Sequence, residues 1–83
     1  MRGTPVLDVN LTERHPSTVH IAQFFTDTHL PPHLREISGP CADLAAYMIR
    51  ALPDGPELTD GLRLLLQAKD SFVRQAVAEG TRP

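Results

Sequence analysis

The residue least easily explained by packing alone is Lys69. Successive residues of an α-helix point about 100° apart, which places Lys69 in the middle of an apolar stripe. That stripe contains Leu62, Leu65, Val73 and Ala76. An unpaired ammonium group in such a stripe is costly, so the side chain must either extend to a carboxylate at the surface or hold an anion at a subunit interface. The sequence leaves both interpretations open.

A second polar set lies on one side of the same predicted helix. Its members are Arg63, Gln67, Asp70 and Arg74. Asp70 and Arg74 are spaced i,i+4, which is typical of a surface ion pair and predicts a solvated, salt-bridged face. The alternative is that Arg74 binds a phosphate, because its planar guanidinium group can donate to two oxygens.

Phe24 and Phe25 are the aromatic residues with the clearest possible role. Consecutive helical residues point about 100° apart, so one ring can join the core while the other faces a partner or a ligand. Together with Tyr47, they are candidates for stacking on a planar base, which contributes about 1–3 kcal/mol per base. A place in the core or in a subunit contact is the competing interpretation for each ring.

Neither catalysis nor metal binding is predicted. The four histidines are His15, His20, His29 and His33, and they are scattered without a metal-ligand spacing. Ser38 has no glycine-flanked nucleophile elbow and no assigned base. Cys41 is the single cysteine, so no disulfide forms within one chain, and its position predicts a small core residue. We therefore expect no enzyme activity, no metal and no cofactor.

Length and composition indicate one small soluble domain. The chain has 83 residues, 41% of them hydrophobic and 22% charged. Its net charge of −2 disfavours DNA binding and argues against a transcriptional regulator. There is neither a membrane-spanning apolar run nor a signal peptide, so the expected compartment is a cytoplasm. A domain this small often gains stability by self-association, which we expect here.

Proline and glycine positions divide the chain into helices, and no strand is predicted. Ser17 is the expected N-cap of a short helix over roughly residues 18–28. A second helix starts at Pro31/Pro32, where proline suits the first turn. Gly39 and Pro40 interrupt its apolar pattern, which predicts a kink or a split into two pieces. That pattern comprises Leu34, Ile37, Cys41, Leu44, Ala45, Met48, Ile49 and Leu52.

The strongest predicted helix follows the turn at Pro53-Asp54-Gly55-Pro56 and stops at Gly80. Its apolar face comprises Leu58, Leu62, Leu65, Leu66, Phe72, Val73, Ala76 and Val77, with Lys69 among them. The short turn predicts an antiparallel hairpin with the preceding helix. The expected organisation is an N-terminal arm, residues 1–16, which packs on a neighbour or frays, and a helical-hairpin domain, residues 17–83.

The order and spacing of several short motifs resemble the helical-hairpin domain of phage anti-CBASS cyclic-nucleotide sponges, a domain related to some Thoeris anti-defence sponges. The similarity covers roughly residues 24–79. The motifs are His29-Leu30-Pro31-Pro32-His33-Leu34, Ser38-Gly39-Pro40, Leu44-Ala45, Leu52-Pro53-Asp54-Gly55-Pro56-Glu57, Ala68-Lys69-Asp70 and Val73-Arg74-Gln75-Ala76.

The resemblance implies an all-α protomer that assembles into a homo-oligomer, a hexamer in the family, within the host cell cytoplasm. It implies capture of cyclic di- or trinucleotides between protomers without cleavage, so that CBASS effectors are not activated. It also implies a set of ligand-binding positions, with aromatic rings on bases and polar groups on phosphates. Carried to this chain they are Phe24 or Phe25, together with His29, Ser38, Gly39, Lys69 and Arg74. Relatives often have a lysine where this chain has Gly39, which puts one phosphate contact in doubt.

A different class of function stays open. The same helices would suit a small protein-interaction module, such as an inhibitor or an assembly adaptor, with no nucleotide ligand. In that case Lys69 and Arg74 would be structural only.

Overall fold

A computed structural model describes residues 10–26 and 30–80 of the chain. Within these ranges the backbone forms three α-helices, α1 (Pro16–Ala22), α2 (Pro32–Ala51) and α3 (Pro56–Gly80), and no strand. A 3₁₀ turn, Gln23–Phe25, follows α1 directly. The predicted all-α class is confirmed. No helix in the described part of the chain is long and apolar enough to cross a membrane.

The first helix differs from its prediction at both ends. It begins at Pro16, and its N-cap is His15, whose ring accepts a hydrogen bond from the backbone N–H of Ser17. Ser17 is therefore not the cap. The chain then tightens into the 3₁₀ turn and becomes extended at Thr26, with φ −71° and ψ 132°, so the helix ends before Thr26. The last two residues of the predicted span, 27–28, lie outside the described residues.

The second helix begins at Pro32, as predicted, and continues through Gly39 and Pro40 to Ala51. The predicted split into two pieces is wrong. Pro40 cannot donate to the carbonyl of Glu36, but both residues are exposed, so water can reach that carbonyl and the helix is not forced to end. A bend at this point stays a prediction.

The main packing contact is between α2 and α3, which the Leu52–Gly55 turn joins as an antiparallel hairpin. On α2 the buried face contains Ala42, Ala45, Ala46 and Ile49, and small side chains at a helix contact allow the axes to approach closely. The buried core cluster comprises Ile21, Ala22, Phe25, Ala42, Ala45, Ala46, Ile49, Leu58 and Leu62.

The apolar stripes predicted for both hairpin helices are only partly buried. On α2 the buried face is centred on alanines, so the larger Ile37 and Leu44 lie at its edge and are 37% and 44% exposed. On α3, Leu58 and Leu62 are buried, whereas Phe72 is 57% exposed. The described chain therefore leaves much of the predicted core surface in contact with solvent.

The N-terminal segment packs back on its own hairpin through one carboxylate. Asp54, in the α2–α3 turn, accepts hydrogen bonds from Arg14 Nε at 2.9 Å, His15 N at 2.9 Å and Thr18 Oγ1 at 2.8 Å. We call these four residues the Asp54 cluster. Residues 10–15 thus contact their own chain, and the part of the predicted arm over residues 1–9 lies outside the described residues.

Arg14 also provides hydrogen-bond donors for backbone carbonyls at the C-terminal end of α2. Its guanidinium group donates to the carbonyl of Ile49 at 2.6 Å and to that of Leu52 at 3.0 Å. These carbonyls have no partner within the helix, and a cation there interacts favourably with the helix dipole. Glu13, just before it, has a φ of 69°, a conformation that persists only where surrounding contacts impose it.

Replacing Asp54→Asn should destabilise the fold at neutral pH by an amount that shrinks in acid. The His15 N–H, the Thr18 hydroxyl and Arg14 hold the pKa of Asp54 below its usual range. A lowered carboxyl pKa contributes stability above the unfolded-state value of about 3.9 and loses it as pH falls through the folded-state value. Melting temperatures from pH 7 down to pH 3 measure the difference between the two chains.

The matched control is Asp43→Asn, which removes an exposed carboxylate on α2 outside the cluster. Its melting temperature should follow that of the unsubstituted chain across the same range. A deficit in Asp54→Asn that is equally large at pH 3 and pH 7 would contradict the role assigned to the ionised carboxylate.

Candidate functional site

The two consecutive phenylalanines of the 3₁₀ turn differ in burial. Phe25 is only 1% exposed and belongs to the core, whereas Phe24 is 48% exposed. The prediction that one ring joins the core and the other faces outward is confirmed. Of the two rings expected to stack on a base, Phe24 is therefore the one that a ligand can reach, because the Phe25 ring is buried in the core.

Phe24 lies in an open cleft beside Lys69. The cleft has a volume of about 350 Å³ and is lined by Gln23, Phe24, Thr26, Leu66, Lys69 and Asp70. The His20 ring meets the Phe24 ring edge-on, with centroids 5.4 Å apart and planes at 78°. Two of the residues expected to bind a ligand are thus together, one aromatic and one cationic. We call this space the Phe24–Lys69 cleft.

The Lys69 ammonium group has two oxygen partners within the chain. Nζ donates to the backbone carbonyl of Phe24 at 3.1 Å and forms an ion pair with Asp70 Oδ1 at 3.2 Å. The lysine side chain is 12% exposed and that of Asp70 is 48% exposed. This geometry matches the simpler of the two interpretations, an aliphatic stem that covers the core and a head that meets a carboxylate.

The positive charge of Lys69 on α3 affects the pKa of the Cys41 thiol on α2. Burial raises the pKa of the Cys41 thiol, while the Lys69 ammonium group acts in the opposite direction. The thiol donates weakly to the carbonyl of Ile37 at 3.8 Å. Cys41 is partly buried, so its predicted place in the core holds only in part.

Arg74 lies outside the cleft. It follows Lys69 by five residues, which turns it about 140° around α3 and moves it about 7.5 Å along the axis. Its guanidinium group donates to Ser71 Oγ at 3.0 Å, and Asp70 pairs with Lys69, so the predicted Asp70–Arg74 pair is wrong. Within one protomer Arg74 and Lys69 do not meet, whereas Arg63 on the same face pairs with Asp60.

Ser38 and Gly39 differ from each other in accessibility. Ser38 is 1% exposed, so its hydroxyl is buried within the protomer, and its binding role stays a prediction. Gly39 is half-buried, and a Cβ atom added there would meet nothing within 4 Å. His29 lies outside the described residues.

The residues with the most polar contacts were not predicted as functional. Arg14 and Asp54 are 40 positions apart and meet only in the folded chain. The turn motif around Asp54 was visible in the sequence, but nothing in it pointed to Arg14. Among the described residues, no three histidine, cysteine, aspartate or glutamate side chains come close enough to hold a metal ion.

Comparison with known proteins found no relative of this chain. No protein-family model, no curated protein and no solved structure matches this chain.

Substituting the two phenylalanines should have very different effects on stability. Phe25→Ala removes a buried ring and should lower the free energy of unfolding by about 3–5 kcal/mol. Phe24→Ala loses mainly an edge-on contact and should cost no more than about 1.5 kcal/mol. Urea denaturation followed by circular dichroism measures both, and equal losses would contradict the division between core and cleft.

Proposed function

We propose that this chain binds cyclic di- and trinucleotides in the host cytoplasm and sequesters them uncleaved, as a phage protein that prevents activation of CBASS effectors. The observation that carries the proposal is the presence of the Phe24 ring and the Lys69 ammonium group in one cleft. A ring can stack on a base and a cation can neutralise a phosphate, which are the contacts that such a ligand needs. The resemblance to the sponge family supplies the same ligand class.

The contacts of Lys69 are compatible with phosphate binding. A phosphate oxygen would replace Asp70 as acceptor, and the Asp70 carboxylate, 48% exposed, can turn into water. Since the lysine side chain is only 12% exposed, its attraction to a phosphate is screened less by salt than that of a surface charge. A few such groups suffice for a cyclic dinucleotide, although the net charge is −2.

The size of the cleft favours binding between copies of the chain. At about 350 Å³ it is at the lower end of ligand pockets, so a cyclic dinucleotide needs further surface to be enclosed. Exposed apolar side chains offer a contact for a second copy: Ile37 and Phe72 line an open cleft of about 520 Å³ that contains no residue of α1. Assembly into a hexamer, as in the family that the chain resembles, is part of the proposal.

Sequestration requires slow dissociation rather than turnover. Differences in affinity between related complexes arise mostly in the dissociation rate. A base held against Phe24 and enclosed by a second protomer would leave slowly, because the contacts of both chains must open.

One observation favours a second candidate function, the small protein-interaction module. The Lys69 ammonium group is already satisfied by the Phe24 carbonyl and Asp70. Under this alternative the exposed apolar residues would contact a different protein, and the cleft would have no ligand.

Substitutions in the cleft should weaken nucleotide binding. Equilibrium dialysis with cyclic GMP–AMP and cyclic tri-AMP should show binding to the unsubstituted chain. Phe24→Ala and Lys69→Met should each weaken it by about tenfold or more, the value of one stacking contact or charged hydrogen bond. The control is Leu64→Ala, which removes a 60% exposed side chain outside the cleft and should leave affinity unchanged.

The fate of the nucleotide separates the functional classes. Heat denaturation of the complex should release intact nucleotide, whereas degraded nucleotide would indicate an enzyme. An absence of binding to every probe would contradict the proposal and favour the interaction module. Unchanged affinity in Arg74→Ala would exclude Arg74 from the phosphate site.

Assembly has its own test. A glutamate at an apolar contact between copies is strongly unfavourable, so Phe72→Glu should dissociate the oligomer. Gln67→Glu adds the same charge at an exposed polar position of the same helix and should leave assembly intact. Sedimentation velocity measures both, and a monomeric unsubstituted chain would contradict the proposed oligomer.

A further inference from the structure

The segment from Arg14 to Phe25, which we call the α1 segment, is attached to the hairpin at its two ends. At its beginning, Arg14, His15 and Thr18 donate to the Asp54 carboxylate. At its end, the carbonyl of Phe24 accepts from Lys69 Nζ at 3.1 Å. The α1 segment has no break between these ends, because the 3₁₀ turn follows α1 directly.

Contacts along α3 show the direction of the α1 segment. Ser17 Oγ lies 3.1 Å from Thr59 Oγ1, and seven residues later Phe24 meets Lys69, ten residues beyond Thr59. The α1 segment therefore runs alongside α3 in the same direction, over about 15 Å of helix. The α1 segment thus connects the Asp54 contacts to the backbone that carries Phe24.

We propose that Asp54 is a positioning residue for the Phe24–Lys69 cleft. It does not touch the ligand; through the Thr18 hydroxyl and Arg14 it sets where α1 lies on α3, and thereby where the Phe24 ring stands beside the ammonium group. The inference rests on the proposed function and adds to it a determinant of affinity outside the cleft.

The exposure of Phe24 is the reason that its position depends on the α1 segment. Its ring is 48% exposed and packs edge-on against the ring of His20, which belongs to α1 itself. The ring therefore takes its place from its backbone. Thr18 provides the most direct control over that backbone, because its side chain is fully buried and its hydroxyl lies 2.8 Å from Asp54 Oδ1.

A pair of substitutions at Thr18 tests the role. Thr18→Val keeps the shape of the side chain and removes the hydroxyl, whereas Thr18→Ser keeps the hydroxyl. Affinity for cyclic GMP–AMP, measured by equilibrium dialysis, should fall on the order of tenfold in Thr18→Val, a typical size for coupling between sites. It should be close to the unsubstituted value in Thr18→Ser. Asp54→Asn should lower the affinity by a similar factor. It replaces Thr18→Val as the test if the Thr18→Val chain does not fold.

A double substitution separates positioning from general destabilisation. If Asp54 acts through the Phe24 ring, Thr18→Val should cause no further loss of affinity in a chain that already carries Phe24→Ala. A role confined to stability would produce the same loss in both backgrounds, and that result would overturn the inference.

Amine modification gives a readout that does not need a ligand. Lys69 is the only lysine in the sequence, so its acetylation by acetic anhydride can be mapped by mass spectrometry apart from the N-terminal amine. The rate should rise several-fold in Thr18→Val and Asp54→Asn, because a displaced Phe24 carbonyl no longer occupies Nζ, and should be unchanged in Thr18→Ser.

The two proposals fail in different ways. Binding of cyclic GMP–AMP that is equal in all of these variants, with an unchanged Lys69 modification rate, would overturn the positioning role and leave the proposed function intact. Lack of binding by the unsubstituted chain would overturn the proposed function. The modification rate would then still decide whether Asp54 positions the cleft.

Discussion

The Asp54 carboxylate joins the N-terminal segment to the helical hairpin, and the arrangement of the cleft depends on that junction. A helix of seven residues, the length of α1, is too short to be stable in water by itself. The hydrogen bonds to Asp54 hold the start of α1, and the burial of Phe25 holds the turn that follows it. The pKa of Asp54 is lowered because these donors favour its charged form.

The second constraint is the ammonium group in the apolar stripe of α3. It requires acceptors because a buried cation without them is costly. Those present are the Phe24 carbonyl and the Asp70 carboxylate, both oxygen acceptors at hydrogen-bond distance. A phosphate offers the same kind of acceptor, so the structural contact of Lys69 and its proposed role toward a ligand use one geometry. What distinguishes them is whether Asp70 or a phosphate provides the negative charge.

The distribution of apolar surface connects the fold to the proposed assembly. The α2 face that packs in the core consists mainly of alanines. Larger side chains such as Ile37, Leu44 and Phe72 therefore lie at the edge of the hairpin. A chain of 83 residues buries only a modest core, so further burial between copies is a physical advantage.

The sequence by itself determined the helical class, the starts of α2 and α3 and the turn at Asp54, because proline and glycine act on the local backbone. It also placed Lys69 within an apolar stripe. Only the tertiary structure decided that Phe25 is buried while Phe24 faces the cleft, that Ser38 points inward, and that Asp54 meets Arg14. These depend on contacts between residues far apart in the chain, which local periodicity does not encode.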